Sequence, residues 1–125
     1  MMIDGIREFL DAYFEVLQTQ DLALFEQVFH RDCVLYSQQD GVTVVRPLPE
    51  YRRMVEGRQS PQSGGFPRHD EILSIDALSA EMASVKVRLR LFDNIMVDYL
   101  NLMKIDGRWR IVAKHFHRAG SAPSA

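Results

Sequence analysis

Ile95-Met96-Val97-Asp98-Tyr99-Leu100-Asn101-Leu102-Met103-Lys104-Ile105-Asp106-Gly107-Arg108-Trp109-Arg110-Ile111-Val112-Ala113-Lys114-His115-Phe116-His117-Arg118 is the stretch that decides the fold. Two long β-patterned runs flank Asp106-Gly107, a dipeptide suited to a primed two-residue turn because both of its positions take positive φ. Such a turn predicts an antiparallel hairpin with its register set by geometry. Counting outward, Ile105 faces Arg108, Lys104 faces Trp109, Leu102 faces Ile111, Leu100 faces Ala113, Asp98 faces His115 and Met96 faces His117. The side holding Trp109, Leu102, Ile111 and Leu100 is the apolar one, expected to be concave and covered by helices.

In that register Asp98 and His115 are cross-strand neighbours in an apolar surround, and they are the candidate catalytic pair. A carboxylate orients an imidazole and raises its basicity, the arrangement used in acid-base chemistry near neutral pH. His117 lies one step further along the same face. With Tyr13, Tyr36, Leu100, Leu102, Trp109 and Ile111 it completes the expected ligand-contacting set. Two alternatives stay open. A type I turn with a bulge at Gly107 would set Asp98 against Lys114 as an ordinary salt bridge. A buried Asp also needs a partner whatever the protein does, so an Asp98-His115 hydrogen bond can be purely structural. The opposite side of the hairpin carries Tyr99, Asn101, Met103, Arg110, Val112, Lys114 and Phe116. The first six are the expected dimer interface, a solvated sheet face being the alternative.

Upstream, residues 83–92 alternate Val85, Val87, Leu89 and Leu91 with Lys86, Arg88 and Arg90, a strand with one buried and one basic face. Residues 71–78 form its partner through a turn at 79–81, and Asp93-Asn94 leads into the deciding hairpin. Earlier still, 33–38 and 42–46 form a hairpin about Gln39-Asp40-Gly41. Residues 3–17 place Ile3, Ile6, Phe9, Leu10, Tyr13, Phe14 and Leu17 on one helical stripe. Asp21 is an N-cap for a second helix over 22–29, and His30 is read as a cation at its carbonyl end. A short helix begins near Pro49, shows Tyr51, Met54 and Val55 on its apolar side, and stops at Gly57. Residues 60–67 form a loop longer than the usual connection of about four to six residues, either a flap or a crossover. Residues 119–125 read as a frayed tail. Helices first and strands afterwards predict a single α+β domain over 1–118, with about three helices on a strongly curved mixed or antiparallel sheet.

At 125 residues, 46% hydrophobic and 26% charged, the chain is an ordinary globular domain, not a disordered segment. Fifteen Lys and Arg against seventeen Asp and Glu leave a net charge of −2 without a basic block. That argues against nucleic acid and anionic membrane as partners and makes a neutral or mildly polar small molecule the better one. For a pocket walled by this apolar face the expected ligand is a small, largely apolar organic molecule. Cys33 is the only cysteine, so no intramolecular disulfide forms, and it reads as a small buried hydrophobe. No secretory signal pattern opens the chain, and no run approaches the roughly 18 apolar residues of a spanning helix, so a cytoplasmic location is expected. His69-Asp70 reads as surface. His115-x-His117 falls short of a metal set, no cofactor fingerprint occurs, and neither metal nor cofactor is expected.

Several segments together resemble the putative lumazine-binding family of the nuclear transport factor 2-like superfamily. They are Phe29-His30-Arg31-Asp32, Gly57-Arg58-Gln59-Ser60-Pro61, Phe66-Pro67-Arg68 with Glu71-Ile72-Leu73-Ser74-Ile75, and the run from Asp98 to Ile111 with Lys114 and Phe116. The resemblance implies a cone-shaped, cystatin-like α+β fold, in which three helices close a strongly bent antiparallel sheet around a deep pocket, usually in a homodimer joined through the outer sheet faces. The superfamily includes ketosteroid isomerase, scytalone dehydratase, limonene epoxide hydrolase and polyketide-cyclase-like enzymes as well as proteins without catalysis, so the fold implies a pocket and leaves the activity open. Asp98, Tyr99, Lys104, Trp109, Lys114 and Phe116 match family-type positions; His115 and His117 do not come from the family pattern. The expectation is therefore an isomerase, dehydratase or cyclase using His115 and Asp98. The alternative is a non-catalytic ligand-binding or dimerisation module.

Overall fold

The computed structural model describes residues 2–123. Three helices, α1 (Met2–Thr19), α2 (Leu22–Val28) and α3 (Leu48–Glu56), pack on six strands. These are β1 (Phe29–Gln39), β2 (Val42–Pro47), β3 (Asp70–Ala77), β4 (Met82–Leu91), β5 (Asn94–Ile105) and β6 (Arg108–Ser121). They form one open sheet in the order β2-β1-β6-β5-β4-β3, mixed because β1 and β6 run parallel while every other pair is antiparallel. This is the expected α+β architecture. Among the described residues, no helix is long and apolar enough to cross a membrane.

Local chemistry accounts for the elements. The stripe of α1 buries Ile6, Leu10, Tyr13, Phe14 and Leu17 against the sheet. The helix stops at Gln20, which takes the left-handed conformation (φ 56°) while its N–H bonds the Val16 carbonyl. Asp21 caps α2 as expected, its Oδ1 accepting from the Ala23 and Leu24 N–H groups at 3.0 and 3.2 Å. Asp40-Gly41 and Asp106-Gly107 both take positive φ at both positions, which matches the right-handed twist of the strands they join.

Three expectations need correction. Helix α2 ends at Val28 and Phe29 is its C-cap, so His30 does not close a helix; it lies in β1, where its Nδ1 accepts from the Asp32 N–H at 3.1 Å. Residues 119–121 are not frayed: Gly120 pairs with Ile95, Ser121 with Asn94, and the Ala122 N–H reaches the Asp93 carbonyl. The end of that expected tail, residues 124–125, lies outside the described residues. The third concerns the deciding hairpin. Its turn has the expected geometry and its register runs as counted from Ile105–Arg108 to Leu102–Ile111. There β6 carries one extra residue, Val112, and the next pair is Asn101–Ala113. A bulge inserts one residue and turns every later side chain to the other face. Beyond it, Leu100 pairs with Lys114, Tyr99 with His115, Asp98 with Phe116 and Val97 with His117.

Candidate functional site

The bulge decides which groups enter the cone. Inward from β5 and β6 come Asp98 and Lys114, 1% and 4% exposed, among the described residues the two charged side chains in an otherwise hydrophobic core. His115 and His117 are exposed on the outer face, where the His115 ring meets that of Tyr36 edge-on at 5.6 Å. The expected Asp98-His115 pair is therefore not formed. Nor does the bulge at Gly107, the other route considered, bring Asp98 to Lys114; the irregularity lies at Val112. Lys114, expected on the outer interface, belongs inside.

Asp98 is held from two sides. Its Oδ2 accepts from the Tyr13 hydroxyl of α1 at 2.8 Å, and the Lys114 ammonium lies 3.7 Å from the same oxygen. The second distance is too long for a hydrogen bond and the attraction is coulombic. The Lys114 Nζ also sits over the rings of Tyr13 and Tyr51, 5.2 and 5.6 Å from their centroids, so two π-faces stabilise a cation withdrawn from water. The other carboxylate oxygen, Asp98 Oδ1, is buried and has no hydrogen-bond partner.

Burial and the neighbouring Asp98 charge, with Tyr51 beside it, push the Tyr13 phenol well above its ordinary value, so Tyr13 stays a donor. Burial likewise pushes the Cys33 thiol up to about 11 against the opposing pull of Lys114, which keeps it protonated and unreactive. The sign of the consequence follows from proton binding. Between pH 9 and 11 the unfolded chain loses the Cys33 proton while the folded chain keeps it, so stability falls as pH rises. At about 1.4 kcal/mol per pKa unit, this thiol accounts for roughly 2 kcal/mol of loss by pH 11. Urea melts at pH 8 and pH 10.5 should show the decline in the wild type and a shallower one in Cys33→Ala; equal slopes would rule out this origin.

Above the pair opens a cavity of about 320 Å³ with Asp98 and Lys114 in its lining. Leu17, Leu35, Met54, Leu89, Met96 and Phe116 make its apolar wall, and Arg46, Arg58, Phe92, Asn94 and Arg118 complete it. The expected ligand set is redistributed. Tyr13 backs the floor by holding Asp98. Leu100, Leu102 and Ile111 point inward but are fully buried in the core, outside the lining of this cavity. Trp109 lies beside Gly5, Phe9 and Val28, away from the cavity. Tyr36, His115 and His117 border a separate groove of about 360 Å³ with β2. The loop at 60–67 is well tied: the Gln62 N–H donates to the Gln18 carbonyl at 2.9 Å, Gln18 Nε2 to the Phe66 carbonyl at 3.1 Å, and the Phe66 ring meets Phe92 edge-on. Periodicity had assigned neither Lys114 nor the arginines to the cavity.

A family model described as putative lumazine-binding matches residues 2–117. The chain belongs to the putative lumazine-binding family. Among curated relatives, the aldolase FrzH of Cladobotryum sp is 25% identical over 106 residues, 85% of this chain and 82% of its own. Among solved structures, an NTF-2 like protein of unknown function from Silicibacter pomeroyi DSS-3 superposes with a TM-score of 0.81 at 17% identity, covering 93% of this chain and 94% of its own. A ketosteroid isomerase-like protein from Erwinia carotovora atroseptica gives a TM-score of 0.69 at 15% identity, covering 94% and 95%. The family member thus has the nuclear transport factor 2-like fold, and its cavity has the size and apolar wall suited to a small organic molecule.

Proposed function

We propose that the cone binds a small organic carbonyl compound and moves a proton on it, with Asp98 as the base and Lys114 as the oxygen-stabilising group. One observation carries this reading: Asp98 Oδ1 is a buried carboxylate oxygen without a partner, on a residue that lines the cavity. Unsatisfied buried acceptors are costly, and they persist where a ligand supplies the missing donor or proton. Oδ1 takes a proton from the carbon next to the carbonyl. The Lys114 ammonium donates to the enolate oxygen as charge develops, and Tyr13 fixes the carboxylate by holding Oδ2. Returning the proton elsewhere completes an isomerisation, expelling a β-hydroxyl a dehydration, and attack of the enolate on a second carbonyl an aldol step. The name of the aldolase FrzH accords with this shared first step. The acid-base role expected of His115 and Asp98 passes to Lys114 and Asp98.

The test uses 2-tetralone in D₂O, with α-proton exchange followed by NMR. Wild-type protein should accelerate exchange, and Asp98→Asn should remove about 10²- to 10⁴-fold of that acceleration while the fold stays intact. Binding of the ketone without acceleration by the wild type would favour the non-catalytic binding module instead.

We further infer that the outer sheet face receives a second copy of the chain. Met82 and Met103 are cross-strand partners, 45% and 37% exposed, and Tyr99 on the same face is 49% exposed. With Asn101, Arg110 and Val112 they form a face that a two-fold axis can pair with itself. Native mass spectrometry should give twice the chain mass for the wild type and the single-chain mass for Met103→Asp. A wild-type monomer at micromolar concentration would overturn the inference.

A further inference from the structure

The cavity carries a charge pattern that the composition hides. At its floor the Lys114 cation and the Asp98 anion balance. Three more cationic side chains line it, Arg46, Arg58 and Arg118, in a chain whose overall charge is −2. Arg58 and Arg118 are held differently from four other arginines. Arg52 pairs with Glu26 and Glu56, Arg68 with Glu15 and Asp70, Arg88 with Glu71, and Arg90 with Asp93.

At Arg58 and Arg118, neutral amides take the place of carboxylates. Arg58 Nε donates to Gln20 Oε1, and Gln20 Nε2 returns a bond to the Arg58 carbonyl at 3.1 Å. The Arg58 guanidinium lies 5.2 Å from the centre of the Phe92 ring, a cation over a π-face. Arg118 Nε donates to Asn94 Oδ1 at 2.7 Å, its Nη2 donates to Ser121 Oγ, and its backbone is bracketed by the Gln39 amide at 2.8 and 3.0 Å. Among the described residues neither Arg58 nor Arg118 has a carboxylate partner. Arg46 has Glu50, 3.5 Å from Nε, but no hydrogen bond forms and Nε is buried without a partner. An amide oxygen fixes a guanidinium in place without cancelling its charge. The result is an oriented positive field at an apolar cavity, where low-dielectric walls strengthen it.

We propose that the ligand of this cavity is an organic acid: an apolar body seated against Leu35, Met54, Leu89 and Phe116, and a carboxylate held by Arg58 and Arg118 with Arg46 beside them. The planar guanidinium fork fits a carboxylate through two parallel hydrogen bonds. The proposal gives the expected small, largely apolar ligand a charged head group, where the overall charge had pointed to a neutral or mildly polar one, and it rests on the reading that the cavity binds a small organic molecule.

The test is calorimetric titration of the full chain with two probes that differ only in the head group, 2-naphthoate and the neutral ketone 2-acetonaphthone. Naphthoate should bind at least tenfold more tightly at low ionic strength, with the advantage shrinking in high salt. In Arg58→Met and Arg118→Met the ratio between the two affinities should collapse toward one. The wild-type comparison needs no variant, so a variant that fails to fold leaves the test intact. Equal binding, or tighter binding of the ketone, overturns the organic-acid proposal and leaves the cavity reading standing. A naphthoate preference that survives both substitutions also overturns it. Binding of neither probe removes both readings.

Discussion

Asp98→Leu and Lys114→Met should each lower stability by about 3–5 kcal/mol, whereas the double substitution should lose less than either alone. The two side chains are 2% and 5% exposed and their charges lie 3.7 Å apart, so removing one strands the other away from water. Against a total stability of about 5–15 kcal/mol, either single change threatens the fold. Together, Leu and Met replace the ion pair by apolar groups in an already apolar wall, and buried pairs replaced in this way are often neutral or stabilising. The residual loss in the double variant comes from the Tyr13 hydroxyl, which loses its acceptor on Asp98, a defect of about 1–3 kcal/mol. Denaturant melts of the three variants at pH 7 read the cycle directly. Losses under about 1 kcal/mol for the singles, additive in the double, would mean the pair is solvated and would remove the physical basis for a reactive floor.

How such a pair escaped the reading of the chain turns on one residue. Asp106-Gly107 announced a primed turn and the backbone takes it, with φ of 51° and 77°. Alternation then located the inward face correctly as far as Ile111. Nothing in Arg110-Ile111-Val112-Ala113 marks a bulge: there is no glycine or proline, and Val112 favours a regular strand. The irregularity coincides with a nonlocal pairing: β6 also pairs with β1 in parallel, setting Leu35 beside Lys114 and Tyr36 beside His115. A local rule propagated past Val112 sends His115 inward and Lys114 outward. The arginines escaped for a different reason. Arg46, Arg58 and Arg118 come from β2, from the segment after α3 and from the end of β6, and only the tertiary fold brings them to one cavity. By contrast, the amphipathic stripe of α1, the Asp21 cap and the alternation of β4 are local features, and each was legible before any tertiary contact was known.

Phe29→Ala is the second change with a large expected effect, about 3–5 kcal/mol. Phe29 stands where the chain passes from helix to strand. Its N–H closes α2 on the Phe25 carbonyl, and its own residue opens the parallel pairing of β1 with β6 opposite Ile111. Its ring, 1% exposed, contacts those of Phe25, Tyr51 and Tyr13 with centroids 4.7, 5.9 and 6.1 Å away, joining all three helices to the sheet. Truncation opens a cavity that none of four elements can fill without giving up its own contacts. Val45→Ala on the exposed side of β2, where the side chain is 61% exposed, should stay within about 0.5 kcal/mol. The effect should also reach the site, because Tyr13 and Tyr51, which Phe29 supports, are the rings beneath the Lys114 ammonium. In a Lys114→Met background, part of what Phe29 supports is already absent, so its truncation should lose about 0.5–3 kcal/mol less than in the wild type. Strict additivity would show that the aromatic cluster packs the core without positioning the lysine, and would leave Asp98 as the only group holding it in the cone.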